Sequence, residues 1–246
     1  MCGRLTLRAS CKDVAELFQL SELPPLEPRY NVAPSQDVLV VRRHPAAWAR
    51  DAAMLRWGLI PSWATDTSIG SRLINARSET AAEKPAFRRA FRERRCLVPA
   101  DGFYSWQQQG RRKQPFFIYL KDGHLFAFAG LWESWKGGAG EVIETFTILT
   151  TIANDLVRPI HEPMPVILDP QHYDVWLDPA PGDVSVLKPL LQPYPAERMT
   201  AVRVGPLVNK PRNEGSQCAQ PIAEAPAVPG REQPEGGTGK GQQRLF

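Results

Sequence analysis

Cysteine is scarce in this sequence, and its placement excludes several classes of protein. The four cysteines, Cys2, Cys11, Cys96 and Cys218, lie far apart, with no CxxC pair and no cluster of Cys and His at metal-ligand spacing. A disulfide scaffold or a zinc finger would need such pairs or clusters. The pattern is typical of the reducing cytoplasm, and we expect neither a metal ion nor any other cofactor.

Long hydrophobic runs are also missing. No stretch approaches the roughly 18 consecutive apolar residues of a membrane-spanning helix, and the opening MCGRLTLRAS lacks the apolar segment of a secretory signal. Neither sign of charge dominates, because 30 basic residues face 26 acidic ones and the formal net charge is +4. The lack of long apolar runs predicts no membrane partner. The small basic excess mildly favours an acidic partner such as nucleic acid.

The end of the chain differs in composition from the rest. Residues 219–246 contain four Pro, five Gly, three acidic and three basic residues, and few large apolar side chains. Such a segment cannot bury enough apolar surface to offset the entropy lost on folding. We predict one folded, monomeric domain over residues 1–218 and a disordered tail over residues 219–246.

Short strands predominate in the predicted domain. The runs Pro115–Leu120 and His124–Gly130 flank an Asp122-Gly123 turn and predict a β-hairpin. Alternating or β-branched runs predict further strands at Val38–Arg42, Ala53–Ile60, Cys96–Tyr104, Glu144–Thr151, Met164–Leu168 and Thr200–Val204.

Helices are fewer and short. They are predicted over Lys12–Leu20, from Pro85 towards Arg94, and over Val184–Leu191. Ser10 is a suitable N-cap for the first, and Thr80 with Glu83 resembles a capping box for the second. Many strands with few helices indicate the α+β class, with a mixed, largely antiparallel, barrel-like β core and short flanking helices.

Cys2 is the most informative residue. Methionine aminopeptidases remove Met1 before a small residue, so we expect Cys2 to become the first residue of the mature chain. Its α-amine and thiol, with reference pKa values of about 7.7–8.0 and about 8.5, are then both partly reactive near neutral pH. An aldehyde suits such a 1,2-aminothiol, because the amine forms a Schiff base and the thiolate closes a five-membered thiazolidine on the same carbon.

Further polar and aromatic residues occur in loops and at strand ends. They lie in RYNVAP (29–34), LRWGLIPSWA (55–64), INARSET (74–80), VPADGFYSW (98–106) and IHEPMPVIL (160–168). Asn75 and Arg77 stand at alternate positions, so in an extended segment both side chains point the same way. We expect Trp57 and Trp106 to lie in the core.

In their order and spacing from Cys2, these segments resemble the SRAP family, the SOS-response-associated peptidase-like proteins that process abasic sites in DNA. The resemblance runs from MCGR at the start to VNKPRN at residues 208–213. It implies an SRAP-like fold and a protein that shields abasic sites in single-stranded DNA. The C1′ aldehyde of the ring-opened deoxyribose would be captured by Cys2 as a covalent cross-link. Peptidase-type activity would cover removal of Met1, and lyase-type activity is also implied.

The resemblance assigns catalytic roles beside Cys2. Asn31 would hold the reactive sugar or Cys2, and His161 would move protons for the Schiff-base intermediate. Ser105 stands where family members usually have an acid/base Glu, and a serine hydroxyl cannot replace a carboxylate base at pH 7. The loss of such a group typically costs about 10²–10⁴-fold in rate. Pro163 stands where many relatives carry Arg, so we expect one phosphate contact to be missing.

Four positions are assigned to DNA. Asn75 and Arg77 would bind the sugar and the adjacent phosphate. Arg4 would lie beside the cross-link, and Trp63 would stack on a base or wedge beside the lesion. The basic run over Arg88–Arg95 would either follow the phosphates or form a solvated helix face.

The tail ends in a short motif of its own. Gln242, two variable residues, Leu245 and Phe246 resemble the pentapeptide that binds the bacterial sliding clamp. A flexible tether would present one amide and two apolar anchors to a preformed pocket. The alternative is an incidental terminus.

Two other functions are compatible with these residues. Class II glutamine amidotransferases also begin Met-Cys-Gly, with the thiolate as nucleophile and the α-amine as its base. If the chemistry is lost with Ser105, the protein would be a non-covalent module for single-stranded DNA. An oligonucleotide with one abasic site separates these functions, since only cross-linking gives a denaturation-resistant band that needs Cys2.

Overall fold

The computed structural model describes residues 2–43, 49–179 and 184–223. The strands are β1 (Leu5–Leu7), β2 (Arg29–Val32), β3 (Asp37–Arg43), β4 (Arg50–Trp57), β5 (Asn75–Arg77), β6 (Arg95–Ala100), β7 (Gly102–Gln109), β8 (Arg112–Leu120), β9 (Phe126–Lys136), β10 (Val142–Thr151), β11 (Met164–Pro165), β12 (Ile167–Leu168) and β13 (Met199–Arg203). The α-helices are α1 (Cys11–Phe18), α2 (Ser78–Ala81), α3 (Arg88–Glu93) and α4 (Tyr173–Leu177). Short 3-10 segments lie at Ser68–Arg72, Pro170–His172, Val184–Leu191, Ala196–Arg198, Pro206–Asn209 and Ser216–Ala219.

A closed five-stranded barrel forms the centre of the molecule. Its strands follow the order β10-β4-β3-β6-β9, and β9 pairs back onto β10. The β10–β4 pair is parallel and the other pairs are antiparallel. Closure leaves no unpaired edge in this ring. The predicted α+β class with a mixed, largely antiparallel, barrel-like core is confirmed.

A second, antiparallel sheet packs against the barrel. Its strands follow the order β13-β8-β7-β1-β2. Phe103 of this sheet meets Phe128 of the barrel edge-to-face, with ring centroids 5.8 Å apart. Cys2 and Leu5 belong to the same buried cluster as these two rings. The start of the chain is therefore fixed at the junction between sheet and barrel.

Helix α1 follows the prediction from Ser10. The Ser10 side chain accepts a hydrogen bond from the Asp13 N–H, and the Asp13 carboxylate accepts one from the Ser10 N–H. This reciprocal pair satisfies two backbone N–H groups at the start of the helix. The helix ends at Gln19, whose φ of 54° is left-handed, and it buries Val14 and Phe18.

The predicted hairpin over residues 115–130 is wrong. Both runs contain strands, but β8 pairs with β7 and β13, whereas β9 pairs with β6, β10 and β12. Gly123 does mark a turn, with a φ of 71° and its N–H donating to the Leu120 carbonyl. The chain leaves one sheet at that turn and enters the other, because each strand finds its partners elsewhere.

The predicted strand over Cys96–Tyr104 is divided at Asp101 into β6 and β7. The Asp101 carboxylate accepts hydrogen bonds from the hydroxyl of Thr6 at 2.5 Å and from Nε of Arg8 at 2.9 Å. The Asp101 N–H donates to the Thr6 carbonyl at 3.0 Å. These bonds hold the chain where it crosses from the barrel to the second sheet.

The predicted capping box at Thr80 is also wrong. Thr80 lies inside α2, where its backbone is helical, whereas an N-cap residue is extended. The following helix α3 starts at Arg88 rather than Pro85 and has no side-chain cap. The predicted helix over Val184–Leu191 is a 3-10 helix that contains Pro189.

The described chain continues a few residues beyond the predicted domain end at residue 218. Pro221 bridges to Val204, and the Ile222 N–H donates to the Arg203 carbonyl at 2.9 Å. The predicted clamp motif lies outside the described residues. Within the part of the chain that is described, no helix is long and apolar enough to cross a membrane.

Candidate functional site

One cavity brings together several of the predicted site residues. It has a volume of about 840 Å³ and lies between the β7–β8 hairpin and the segment before β11. Arg4, Arg77, Ser105 and His161 line it. Its described lining includes neither Cys2, nor Asn31, nor Asn75, each of which is buried or half-buried.

Cys2 is buried in the core, with 3% of its surface exposed. Burial raises the pKa of its thiol to about 12, although a backbone hydrogen bond from Arg4 acts in the opposite direction. The thiol is therefore protonated at neutral pH, and it must lose its proton to act as a nucleophile. Ile160 belongs to the same buried cluster and also lines the cavity, which connects the surroundings of Cys2 to the cavity wall.

Ser105 lies on β7, opposite Phe116 of β8. Phe103, two residues earlier on the same strand, packs into the core. Ser105 is itself buried, at 5% exposure, in the cavity wall. The position thus offers a hydroxyl that can donate or accept a hydrogen bond. It offers no carboxylate.

His161 follows a turn that Asn154 holds in place. The Asn154 Oδ1 accepts from the Val157 N–H at 2.9 Å, and its Nδ2 donates to the Tyr194 carbonyl at 2.7 Å. Burial lowers the pKa of His161 below 6.5, and the charge of Lys113 acts in the same direction. His161 is therefore neutral at pH 7, with one ring nitrogen able to accept a proton. Sequence analysis missed Asn154, which lies three residues beyond the end of β10 and belongs to no recognisable local motif.

Asn75 and Arg77 lie on β5, which pairs in parallel with β10. Ala76 between them is buried, and the Arg77 side chain is exposed in the cavity lining. The Nδ2 and Oδ1 atoms of Asn75 are buried and have no hydrogen-bond partner within the described chain. Such atoms cost about 1–3 kcal/mol each when they stay unsatisfied. A bound ligand that reaches them would remove that cost.

Trp106 lies at the edge of the predicted core: it is half-buried and packs against the buried cluster that contains Tyr104 and Phe117, and it also lines the cavity. Its Nε1 donates to Oδ1 of Asn209 at 2.7 Å, and the Arg4 guanidinium lies 5.8 Å from its ring centroid. Arg4 Nη2 also donates to the Asn209 carbonyl at 3.4 Å. Asn209 therefore contacts both side chains at the cavity wall. By contrast, Trp57 is buried as predicted.

Asn31 holds the segment that carries Asn209. We call residues 206–219, which contain Asn209, the strap. Asn31 is fully buried, and its Nδ2 donates to the strap carbonyls of Lys210 and Asn213 at 3.0 and 2.8 Å. Its Oδ1 has no partner within the described residues.

Trp63 lies apart from this cavity. It is 59% exposed, and with Arg88 and Arg89 it lines a separate depression of about 530 Å³. Its Nε1 donates to the Pro85 carbonyl at 3.5 Å.

Part of the basic run is used within the fold. The buried Arg95 donates to the carbonyls of Trp176 and Phe91, each at 2.7 Å. Arg94 pairs with the buried Glu133. These two arginines stabilise the packing of α3 on the barrel, which leaves the exposed Arg88, Arg89 and Arg92 as candidates for phosphate contact.

Comparison with known proteins agrees with this arrangement. A model of the family described as SOS response associated peptidase (SRAP) matches residues 1–211. The chain belongs to the SRAP family. The abasic site processing protein YoqW of Bacillus subtilis is 44% identical over 224 residues, covering 89% of this chain and 99% of that protein.

More distant SRAP relatives extend to vertebrates. The abasic site processing protein HMCES of Xenopus tropicalis is 32% identical over 228 residues, covering 80% of this chain and 67% of that protein. A crystal structure of a protein from Bacteroides thetaiotaomicron has a TM-score of 0.81 at 29% identity, covering 90% of this chain and 100% of that one. The SRAP fold is therefore common to chains of low identity.

Proposed function

We propose that this SRAP protein processes abasic sites in single-stranded DNA by binding them covalently through Cys2 once Met1 is removed. The proposal rests mainly on one observation. A chain whose relatives are named abasic site processing proteins has Arg4, Arg77, Ser105 and His161 around one cavity, and Ile160 in the wall of that cavity belongs to the same buried cluster as Cys2.

The proposed reaction needs no group beyond the protein and the sugar. The free amine of Cys2 attacks the C1′ aldehyde, and loss of one water gives an imine. The Cys2 sulfur then adds to the same carbon, and the thiol proton ends on the nitrogen. The product is a thiazolidine, and its closure is favoured because both nucleophiles belong to one residue.

Proton movement is assigned to His161. The thiol of Cys2 is protonated at neutral pH, because burial raises its pKa to about 12. A neutral His161 can accept that proton while sulfur attacks and can return it to nitrogen. Its pKa is lowered by burial, which keeps it neutral at pH 7.

The sugar and its phosphate are assigned to Asn75, Arg77 and Arg4. Asn75 lies outside the cavity lining, but its unpartnered Nδ2 and Oδ1 would donate to and accept from sugar hydroxyls that reach them. Arg77 is exposed in the cavity and suits a bidentate phosphate contact. Asn31 would then act as a positioning residue for the strap rather than by touching the sugar.

A denaturing gel tests the proposal. The protein is incubated with an oligonucleotide carrying one abasic site, and Cys2→Ala is compared with Cys11→Ala, since Cys11 is a free, exposed cysteine. We expect a heat-stable band for the wild type and for Cys11→Ala, and none for Cys2→Ala. A heat-stable band in Cys2→Ala would refute the assignment.

A non-covalent binding module is the second candidate. The hydroxyl at Ser105 and the protonated, buried thiol of Cys2 both favour it. Retention of the abasic oligonucleotide on a native gel, without any denaturation-resistant band, would identify this function. Glutamine amidohydrolysis has no comparable support, because the model that matches residues 1–211 describes the SRAP family and not the amidotransferases.

We also propose that the tail recruits the protein to the bacterial sliding clamp through Gln242, Leu245 and Phe246, and that the protein acts as a cytoplasmic monomer. A pull-down compares the wild type with Leu245→Ala/Phe246→Ala. Clamp retention should be lost in the double variant, and equal retention would contradict the proposal.

A further inference from the structure

The tip of the β7–β8 hairpin carries positive charge without balancing acid. Residues 107–114 read QQQGRRKQ and contain no Asp or Glu. Arg111, Arg112 and Lys113 are exposed, and none of them forms an ion pair with another described residue. Their charge is therefore available to a partner.

The hairpin is tied to a segment beside the cavity. Gly110, with a φ of 56°, and Arg111 form a two-residue turn, and Gln109 pairs with Arg112 across it. The Gln107 Nε2 donates to the Pro159 carbonyl at 2.9 Å, which ties the hairpin to the segment that precedes His161. The backbone that carries the three cations is thus placed beside the site.

The positive surface is continuous with the cavity. Gln108 and Lys113 pair across the hairpin, and both line the cavity that also contains Arg4 and Arg77. A DNA backbone that is bound at Arg77 and leaves the cavity on this side would meet Lys113 first and then Arg111 and Arg112.

We propose that the hairpin tip, Arg111–Lys113, binds the phosphate backbone of single-stranded DNA where it leaves the cavity; this inference rests on the proposed function. Guanidinium groups suit bidentate contact with phosphate, and such contacts do not depend on base sequence. A membrane surface fits less well, because the tip has no apolar or aromatic residue to insert.

Anisotropy of a fluorescent, unmodified single-stranded oligonucleotide, measured over a series of salt concentrations, tests the inference. The tip variant Arg111→Gln/Arg112→Gln is compared with Lys12→Gln/Lys121→Gln, which removes the same charge from exposed positions. Lys121 follows the opposite end of β8, roughly 30 Å along the strand from Arg112. Thermal unfolding checks that both variants fold.

We expect about tenfold weaker binding by the tip variant at low salt, and a log–log salt slope smaller by about 1.4, since each single-strand phosphate contact contributes about 0.7. The control should bind like the wild type, and Arg111→Lys/Arg112→Lys should recover most of the affinity. Equal losses in the tip variant and the control, with cross-linking by the wild type intact, would overturn this inference alone. A wild type that neither binds nor cross-links would overturn the proposed function and, with it, this inference.

Discussion

At the scale of single residues, burial acts in opposite directions on Cys2 and His161 and keeps both neutral. It raises the pKa of the thiol and lowers that of the imidazole, because a low-dielectric environment disfavours the charged form of each group. The resting site therefore holds no thiolate–imidazolium pair. In the proposed reaction, the Cys2 thiol would therefore lose its proton only as sulfur adds to the imine that the α-amine has already formed.

Ser105→Glu should accelerate adduct formation. A carboxylate at this buried wall position would add a general acid/base to the cavity beside His161, and such groups typically contribute about 10²–10⁴-fold. Single-turnover rates on an abasic oligonucleotide measure the effect, with Ser105→Gln as a control of similar size without the charge. An equal rate in wild type and Ser105→Glu would mean that another group already does this work.

His161→Gln should flatten the dependence of stability on pH. The folded-state pKa of His161 is lowered, so above pH 6.5 the ring is neutral in both states and contributes nothing. As pH falls below 6.5, the unfolded chain binds the proton more readily than the folded chain, and stability is lost through the folded-state pKa. Melting temperatures at pH 7.5 and pH 5 should differ less for His161→Gln than for the wild type. Parallel decreases would contradict the shift.

At the scale of secondary-structure elements, local chemistry was predictable and pairing was not. The Ser10 signal placed α1 within one or two residues, because an N-cap acts on its own first turn. The Asp122-Gly123 dipeptide predicted the turn correctly, but the two strands that flank it, β8 and β9, do not pair with each other, since a turn residue fixes only the local backbone. The division at Asp101 depends on Thr6 and Arg8, which are distant in sequence and gave no local signal.

The strap gives an element-scale prediction through Asn31. Asn31→Ala removes both hydrogen bonds to Lys210 and Asn213, so we expect the free energy of unfolding to fall by about 1–3 kcal/mol. The cross-linking rate should fall as well, because Asn209 on the same strap fixes Arg4 and Trp106. Urea denaturation and single-turnover kinetics measure the two effects. Unchanged values for both would mean that Asn31 does not position the strap.

At the scale of the whole molecule, β5 and the segment that contains His161 meet at one end of the barrel strand β10. β5 pairs with β10 at Ile148–Thr150, and β11 pairs with the last two residues of that strand. The resemblance to the SRAP family assigned site roles to Arg4, Arg77, Ser105 and His161, which the structure gathers around one cavity. Asn209, Asn154 and Lys113 had no separate signal, since their role depends on where the strap, the turn and the hairpin meet.

Gly130→Ala should destabilise the entire barrel. Gly130 lies on β9 between β6 and β10, and a Cβ there would lie 2.8 Å from Sγ of Cys96 and 3.0 Å from Cγ2 of Val98. Overpacking of this kind typically costs about 1–3 kcal/mol. Gly138→Ala is the matched control, because an added Cβ there meets nothing within 4 Å. Thermal unfolding should show a lower midpoint for Gly130→Ala only, and equal midpoints would contradict the tight closure.

Mapping the adduct by mass spectrometry tests the central claim most directly. The mature protein, with Met1 removed, is incubated with an abasic oligonucleotide, denatured, treated with iodoacetamide and digested. We predict that the peptide beginning at Cys2 carries the sugar with loss of one water and resists alkylation, because its sulfur is part of a thiazolidine ring. A Cys2 sulfur that is alkylated in every adduct, or an adduct found on another residue, would contradict the account.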